Sequence, residues 1–339
     1  MSVAQVIMGG SGSTGSSVLQ RILNRHPEVM AGPEIGLFQF PFLYDDWNRY
    51  KQALPKENFF GVKSRAFARR NGAKLLDPYY GWTPSELQQL LARTQQFPDF
   101  VREFFARGMD RQRATLFVEK TPQNAQGFLR FLENFPQGRV VHTLRDPYEA
   151  MASLRRRGFP AYVAAGHLVY QMAAAASARG HERYTEVWYE DLIGQPEQTV
   201  RQLCAFLRIE FVPAMMEPEA TERREAVQMF GWRAAETEAI RPVDLRKFDR
   251  LDDRSQREIV AALQVYEIPE RYAVRWNIAC RNFKDLCTEI GFRHRTTEIE
   301  PFLTQFRRER RYDWWLRSYR LHPTGWWNYP GEIRVRSGS

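Results

Sequence analysis

Only three cysteines, Cys204, Cys280 and Cys287, occur in the 339 residues. An odd number without metal-ligand spacing argues against a disulfide framework and a thiolate metal site, and it fits a reducing, cytoplasmic setting. No metal is expected. Long apolar runs are also missing. The stretch from Tyr162 to Ala176 is cut by Gly166 and His167 and falls short of the roughly 20 residues that span a bilayer. No transmembrane helix is expected, although peripheral contact with a membrane stays open. Met1 to Met8 carry neither a basic n-region nor a long apolar h-region, so they read as a first core strand rather than a secretory signal. Internal repeats are absent.

What is present is an ordinary globular composition, 43% hydrophobic, with a net charge of +9 and a pI near 9.6. Such a balance attracts anions: phosphorylated cofactors, acidic glycans, nucleic acid or lipid headgroups. Between Arg293 and Arg336, ten arginines face five carboxylates, so over half of the surplus sits near the C-terminus. Trp314-Trp315 and Trp326-Trp327 lie in the same stretch. Aromatic faces stack on sugar rings and guanidinium groups hold acidic ones. With no recognisable nucleic-acid module, a glycan or glycolipid partner is favoured and no nucleic acid is expected. The same tryptophans could equally serve to bury this segment against the core.

From Val3 to about Leu207, short apolar runs alternate with amphipathic stretches, the pattern of βα units feeding a mainly parallel sheet. Strands are predicted at Val3–Met8, Phe59–Lys63, Thr115–Glu119, Arg139–Leu144 and Tyr184–Tyr189. Helices are predicted at Ser16–Asn24, Pro122–Asn134, Pro147–Arg156, Tyr162–Ala178 and Pro196–Leu207. Thr83-Pro84-Ser85-Glu86 combines an N-cap, a proline at the first helical position and a capping-box glutamate, so a long helix should run through Leu87, Leu90 and Leu91 and onward. The expectation is an α/β, P-loop-like three-layer fold, its central sheet flanked by helices. Residues 1–269 read as one domain and 270–339 as an irregular aromatic and basic appendage packed on it.

After the first strand comes Gly9-Gly10-Ser11-Gly12-Ser13-Thr14-Gly15-Ser16-Ser17, then an apolar helix from Val18. Strand, glycine-rich loop and helix N-terminus in that order form an anion cradle, because glycines let the backbone wrap closely and the first amides point at the ligand. Gly10 and Gly15 have P-loop spacing, but Ser16-Ser17 replaces the Lys-Ser or Lys-Thr that the nucleotide motif requires. The loop resembles the first motif of the sulfotransferase superfamily, Gly-Gly-x-x-Arg-Ser-Gly-Thr-Thr-Leu, especially in tyrosylprotein sulfotransferases and the related bacterial and carbohydrate enzymes. One departure is serious: Ser13 stands where the family has Arg or Lys, a side chain that helps neutralise the bridging oxygen as sulfate leaves.

Further segments extend the resemblance to about residues 3–243. Arg145 at a strand end and Ser153 eight residues later, on the following helix, resemble the family's site for the 3′-phosphate of 3′-phosphoadenosine-5′-phosphosulfate. Arg145 could instead pair with a nearby carboxylate. Lys120 in Glu119-Lys120-Thr121-Pro122 is similar to the family's phosphosulfate lysine, Tyr189 in Tyr189-Glu190-Asp191-Leu192 to an element near the nucleotide, and Arg241 to the basic segment closing over the cofactor. Glu34 falls at the position of the catalytic glutamate of the tyrosylprotein enzymes.

The resemblance thus implies a sulfotransferase with this nucleotide as donor and no metal. Gly12, Ser13, Thr14, Gly15, Ser16, Ser17, Lys120, Arg145, Ser153, Tyr189 and Arg241 would hold the donor. Glu34 would act as general base, with His26 a lower-ranked candidate. Lys120 would be the remaining cation for the phosphosulfate, with Lys63 as an understudy. The acceptor would be a hydroxyl, on a glycan or glycolipid by preference, while a small phenol or protein tyrosine also fits. Two other readings stay open: a non-catalytic relative that binds donor or glycan, favoured by Ser13, and a degenerate P-loop kinase, disfavoured by the missing lysine.

Overall fold

The computed structural model describes residues 4–32, 34–51, 54, 80–217 and 245–318. The strand expected over 59–63, Lys63 and Arg241 lie outside them. Five strands form one all-parallel sheet: β1 (Ala4–Gly10), β2 (Val29–Met30), β3 (Leu116–Lys120), β4 (Arg139–Leu144) and β5 (Tyr184–Trp188). Their order across the sheet is β2-β3-β1-β4-β5, with all four pairings parallel. Parallel neighbours require crossovers, and these put helices on both faces.

Residue alternation along each strand sorts the two faces. Val6, Met8, Leu116, Val118 and Val141 pack with Leu19, Ile22 and Leu23 of helix α1 (Ser16–Asn24) and with Val200, Leu203 and Leu207 of the Pro196–Leu207 helix. Ile7, Phe117 and Val140 point the other way, into an aromatic-rich core that contains Phe100, Phe104 and Phe105 of the Phe97–Gln112 helix and Phe128 and Phe131 of the Phe128–Asn134 helix. Phe105 stacks on Phe117 with ring centroids 3.9 Å apart. The three expected layers are therefore present.

The capping box at Thr83 forms as the sequence implies: the hydroxyl accepts from Glu86 N–H, and the Glu86 carboxylate accepts from Thr83 N–H. The long helix expected beyond it is instead two helices, Pro84–Arg93 and Phe97–Gln112. The break falls at Thr94–Gln96 because Pro98 supplies no amide for a continuing helix but fits the first turn of a new one. The stretch beginning at Pro122 likewise starts as a 3₁₀ helix, Pro122–Gly127, before turning α-helical at Phe128.

The described part of the C-terminal segment is helical. Glu270–Trp276, Phe283–Ile290 and Glu300–Ser318 contribute Trp276, Phe283, Leu286, Phe302 and Phe306 to a core shared with the Ala161–Ala176 helix. That helix is buried on nearly every side, as its predominantly apolar sequence requires.

The approach to β5 hangs on one side chain. Arg183 donates from Nη1 to the carbonyls of Phe135 at 2.6 Å and Gly138 at 2.9 Å, and from Nη2 to Leu132 at 2.8 Å. It thereby closes the C-terminal end of the Phe128–Asn134 helix and the turn leading into β4. Arg183→Met should strand three partly buried carbonyls and lower stability by about 2–3 kcal/mol. Arg183→Lys should recover only part of that, since an ammonium lacks the planar fork. Urea unfolding of the three proteins measures both steps.

Candidate active site

In parallel sheets of this kind, ligands sit beyond the carboxyl ends of the strands, where the chain order reverses. Here β1, β3 and β4 end side by side at Gly10, Lys120 and Leu144. Between β1 and α1, residues 11–15 form a tight loop. Ser13 adopts φ 72° and Gly15 φ 86°, the left-handed region that costs a non-glycine residue of order 1–3 kcal/mol. Gly15 has a second reason to be glycine: a Cβ there would lie 2.3 Å from Cδ2 of Tyr189. The Thr14 hydroxyl lies 2.8 Å from the Ser11 carbonyl and 2.8 Å from the Thr143 hydroxyl on β4. The loop backbone is thus fastened to the next strand.

Alternation on β3 sends Glu119 and Lys120 to opposite faces. Lys120, fully buried, reaches under the first turn of α1, where its ammonium donates to Ser17 Oγ at 3.1 Å and pairs with Glu34. Glu34 and Lys120, distant in sequence, thus meet beside the glycine loop. Behind them the Glu119 carboxylate accepts from the amides of Ile35 at 3.0 Å and Gly36 at 3.3 Å, from the Thr121 hydroxyl at 2.7 Å and from the Asn124 side-chain amide. Burial raises the Glu119 pKa above its ordinary value, and the four hydrogen bonds oppose that shift.

Arg145, also buried at 3% exposure, leaves the end of β4 and donates from Nη1 to the Ser13 carbonyl at 3.2 Å. Its guanidinium lies 4.6 Å from the Tyr189 ring centroid, so Tyr189 packs against both the loop and this cation. Nη2 faces Glu149 at 3.3 Å, the carboxylate pairing the sequence left open. Among the described residues its Nε, which is buried, has no hydrogen-bond partner. Glu149 also accepts the amides of Lys247 at 3.0 Å and Phe248 at 2.8 Å, tying the chain just after residue 244 to Arg145. Asp146 caps the Pro147–Arg156 helix through the amides of Tyr148 and Glu149, which fixes where Arg145 ends and the helix begins. Ser153 lies on that helix, half-buried, and Leu154 beside it faces Gly12.

His26 is used otherwise. Its Nδ1 accepts the Glu28 amide at 3.1 Å, which leaves Nε2 to donate to the Glu210 carbonyl at 2.8 Å. It is a structural tie between chain segments and not a base beside Glu34. Sequence reasoning missed Glu119, Glu149 and Arg157, whose Nη1 lies 3.3 Å from Ser13 Oγ. The four-residue spacing of Arg145 and Glu149 was a readable sign of an ion pair within one helical turn; no local pattern marks the others. Among the described residues no group of three or more His, Cys, Asp or Glu side chains is arranged to hold a metal ion, and no helix is long and apolar enough to cross a membrane.

A model of the Sulfotransferase family matches residues 5–213, well over half of the chain. The chain belongs to that family. Among solved structures, the sulfotransferase domain from the Synechococcus PCC 7002 olefin synthase is 20% identical, covering 73% of this chain and 88% of its own, with a TM-score of 0.53. The sulfotransferase domain from the curacin biosynthetic pathway is 16% identical, covering 86% and 98%, with a TM-score of 0.52. At these identities the likeness establishes a shared fold. No curated protein sequence matches. The matched region of this sulfotransferase contains Glu34, Lys120, Arg145, Ser153 and Tyr189; Arg241 lies beyond it.

The shift at Glu119 gives the sulfotransferase a pH dependence of known sign. A carboxyl whose folded pKa is raised contributes stability fully below its ordinary value, near 4.5, and loses it as pH rises through the folded value. Glu119→Gln cannot titrate, so between pH 4.5 and neutrality the parent should lose more stability than the variant. Urea midpoints across that range measure the difference, and parallel curves would show that Glu119 titrates as it does in the unfolded chain.

Proposed function

We propose that this sulfotransferase takes 3′-phosphoadenosine-5′-phosphosulfate as donor and moves its sulfuryl group to an acceptor hydroxyl. The observation that carries this reading is Arg145. It is a buried guanidinium at the end of β4, in contact with the glycine loop, with an Nε donor left unsatisfied among the described residues. An unpaired buried donor costs about 1–3 kcal/mol, and an anion bound at the loop is the kind of ligand that would repay it. The residues present fit a bisphosphorylated nucleotide. The loop amides and the hydroxyls of Ser16 and Ser17 suit one phosphate group, while Arg145 and Ser153 suit a second. A cavity of about 550 Å³ is lined by Ala152, Phe159, Leu251 and Ile259 together with Arg156, Lys247 and Arg250, and its lining includes neither Ser153 nor the glycine loop.

When bound, the donor supplies an activated sulfur, whose bond to the phosphate oxygen breaks as a bond to the acceptor oxygen forms. The protein's part is alignment and charge. Glu34 accepts the acceptor's proton, Lys120 offers an ammonium to the oxygen that leaves, and Tyr189 holds Arg145 and the loop in register. Tryptophan and arginine content near the C-terminus favours a glycan or glycolipid acceptor; residues 319–339, with Trp326-Trp327, lie outside the described region.

Calorimetric titration tests the donor. The protein should bind 3′-phosphoadenosine-5′-phosphate far more tightly than AMP, and Arg145→Ala should erase most of the difference; equal affinities in the parent would sink the reading. Catalysis is tested separately by transfer of labelled sulfate to pooled glycans, lipids, peptides and phenols. Glu34→Gln should leave nucleotide affinity intact and slow transfer ~10²-fold or more, because an amide cannot take the proton. Undiminished transfer would return Glu34 to a purely structural partner of Lys120.

A further inference from the structure

The loop position where the family carries a basic residue is Ser13, yet Ser13 is not isolated from positive charge. The Pro147–Arg156 helix runs alongside the loop, with Leu154 facing Gly12, and an arginine flanks it at each end. Arg145 before the helix reaches the Ser13 carbonyl. Arg157, which caps its C-terminus through amide bonds to the Ser153 and Leu154 carbonyls at 3.3 and 3.0 Å, turns back so that Nη1 lies 3.3 Å from the Ser13 hydroxyl.

Resting on the donor reading above, we infer that Arg157 supplies from the neighbouring helix the cation that position 13 lacks, and that it serves the donor's 5′-phosphate group. Three observations separate Arg157 from Lys120, Arg145 and Arg155. Lys120 and Arg145 are buried and each is already paired, with Glu34 and Glu149. Arg155 is paired with Glu258 at 3.1 Å. Arg157 is exposed and has no carboxylate partner among the described residues, so its charge is not cancelled locally. Among the described residues its guanidinium hydrogen-bonds to Ser13 Oγ alone, and that hydroxyl can accept from Arg157 and still donate to an anion in the loop. The helix C-terminus favours a cation there in addition.

Binding reports this without knowledge of the acceptor. 3′-Phosphoadenosine-5′-phosphate and adenosine 3′-monophosphate differ by the 5′-phosphate alone, so the ratio of their affinities isolates that group. Arg157→Ala should weaken the bisphosphate by roughly tenfold or more, the loss of one charge-assisted contact, and leave the 3′-monophosphate unchanged. Arg157→Lys should retain part of the ratio. Ser13→Arg placed in the Arg157→Ala background should restore it, by returning the charge to the loop itself. The backbone admits that change, since Arg113 and Arg208 already occupy positive φ at 55° and 60° in this chain. Arg157→Ala binding both nucleotides like the parent, or losing both equally, would overturn the inference and leave the donor reading intact. A parent that fails to prefer the bisphosphate over AMP would instead overturn the donor reading, and the role of Arg157 with it.

Discussion

The Glu119 carboxylate is shut away from water and yet surrounded by donors: two successive main-chain amides at Ile35 and Gly36, a hydroxyl at Thr121 and the side-chain amide of Asn124. A buried carboxyl is tolerated only when its oxygens are satisfied, so this group dictates where three segments must lie. It fixes the extended chain after Glu34, the end of β3 and the first turn of the 3₁₀ helix at Pro122. Because side chains alternate along a strand, the residue after Glu119 emerges on the other face, and that residue is Lys120. One backbone constraint therefore delivers both the glutamate and the lysine of the candidate site to the same edge of α1.

The rest of the site follows from parallel pairing. With β1 between β3 and β4, the three strands end next to one another, and whatever follows each strand is brought to a common crevice: the glycine loop, the Lys120-Thr121-Pro122 turn and Arg145. Close approach is what the glycines permit. At Gly10 a Cβ would stand 2.3 Å from the Thr143 carbonyl oxygen, and at Gly15 it would meet Tyr189. The loop is held from outside as well as from within, since Thr14 leans on Thr143 and Ser13 is grasped by Arg145. Its strained conformation is over-determined, as the proposed anion site would need.

Much of this was legible in the sequence because the signals were local. Ser16–Asn24, Arg139–Leu144, Pro147–Arg156 and Pro196–Leu207 appear with the expected bounds, each announced by periodicity, a proline at a first turn or a glycine-rich approach. The two-residue strand β2 carried no such signal; it exists because residues 29–30 pair with β3, a tertiary fact. The break at Thr94–Gln96 was visible in Pro98, whose effect on the preceding turns outweighs continuing helical periodicity. At the site, Glu34, Lys120 and Arg145 could be named from a family likeness, but their partners could not. Glu119 looked like any strand carboxylate, and Arg157, twelve residues past Arg145, acquires meaning only when the helix lies along the loop.

Charge balance links these parts. Among the described residues the inner cations come with their own carboxylates, Lys120 with Glu34 and Arg145 with Glu149. Such pairing avoids the cost of isolated buried charge, but it also divides each cation's attention. On the proposed reading, the Lys120–Glu34 pair changes character during transfer. As Glu34 takes the acceptor's proton its negative charge is lost, its hold on the ammonium weakens, and Lys120 is released toward the oxygen on which charge is then building. The base and the cation are thereby coupled through one ion pair, with the proton moving to Glu34 as the sulfur–oxygen bond to phosphate breaks. A permanently unpaired lysine would also hold the donor before reaction, and only the part of its attraction that grows as charge builds on the leaving oxygen would raise the rate. On that reading, the pairing with Glu34 makes Lys120 a charge whose attraction is freed as the proton arrives on the carboxylate.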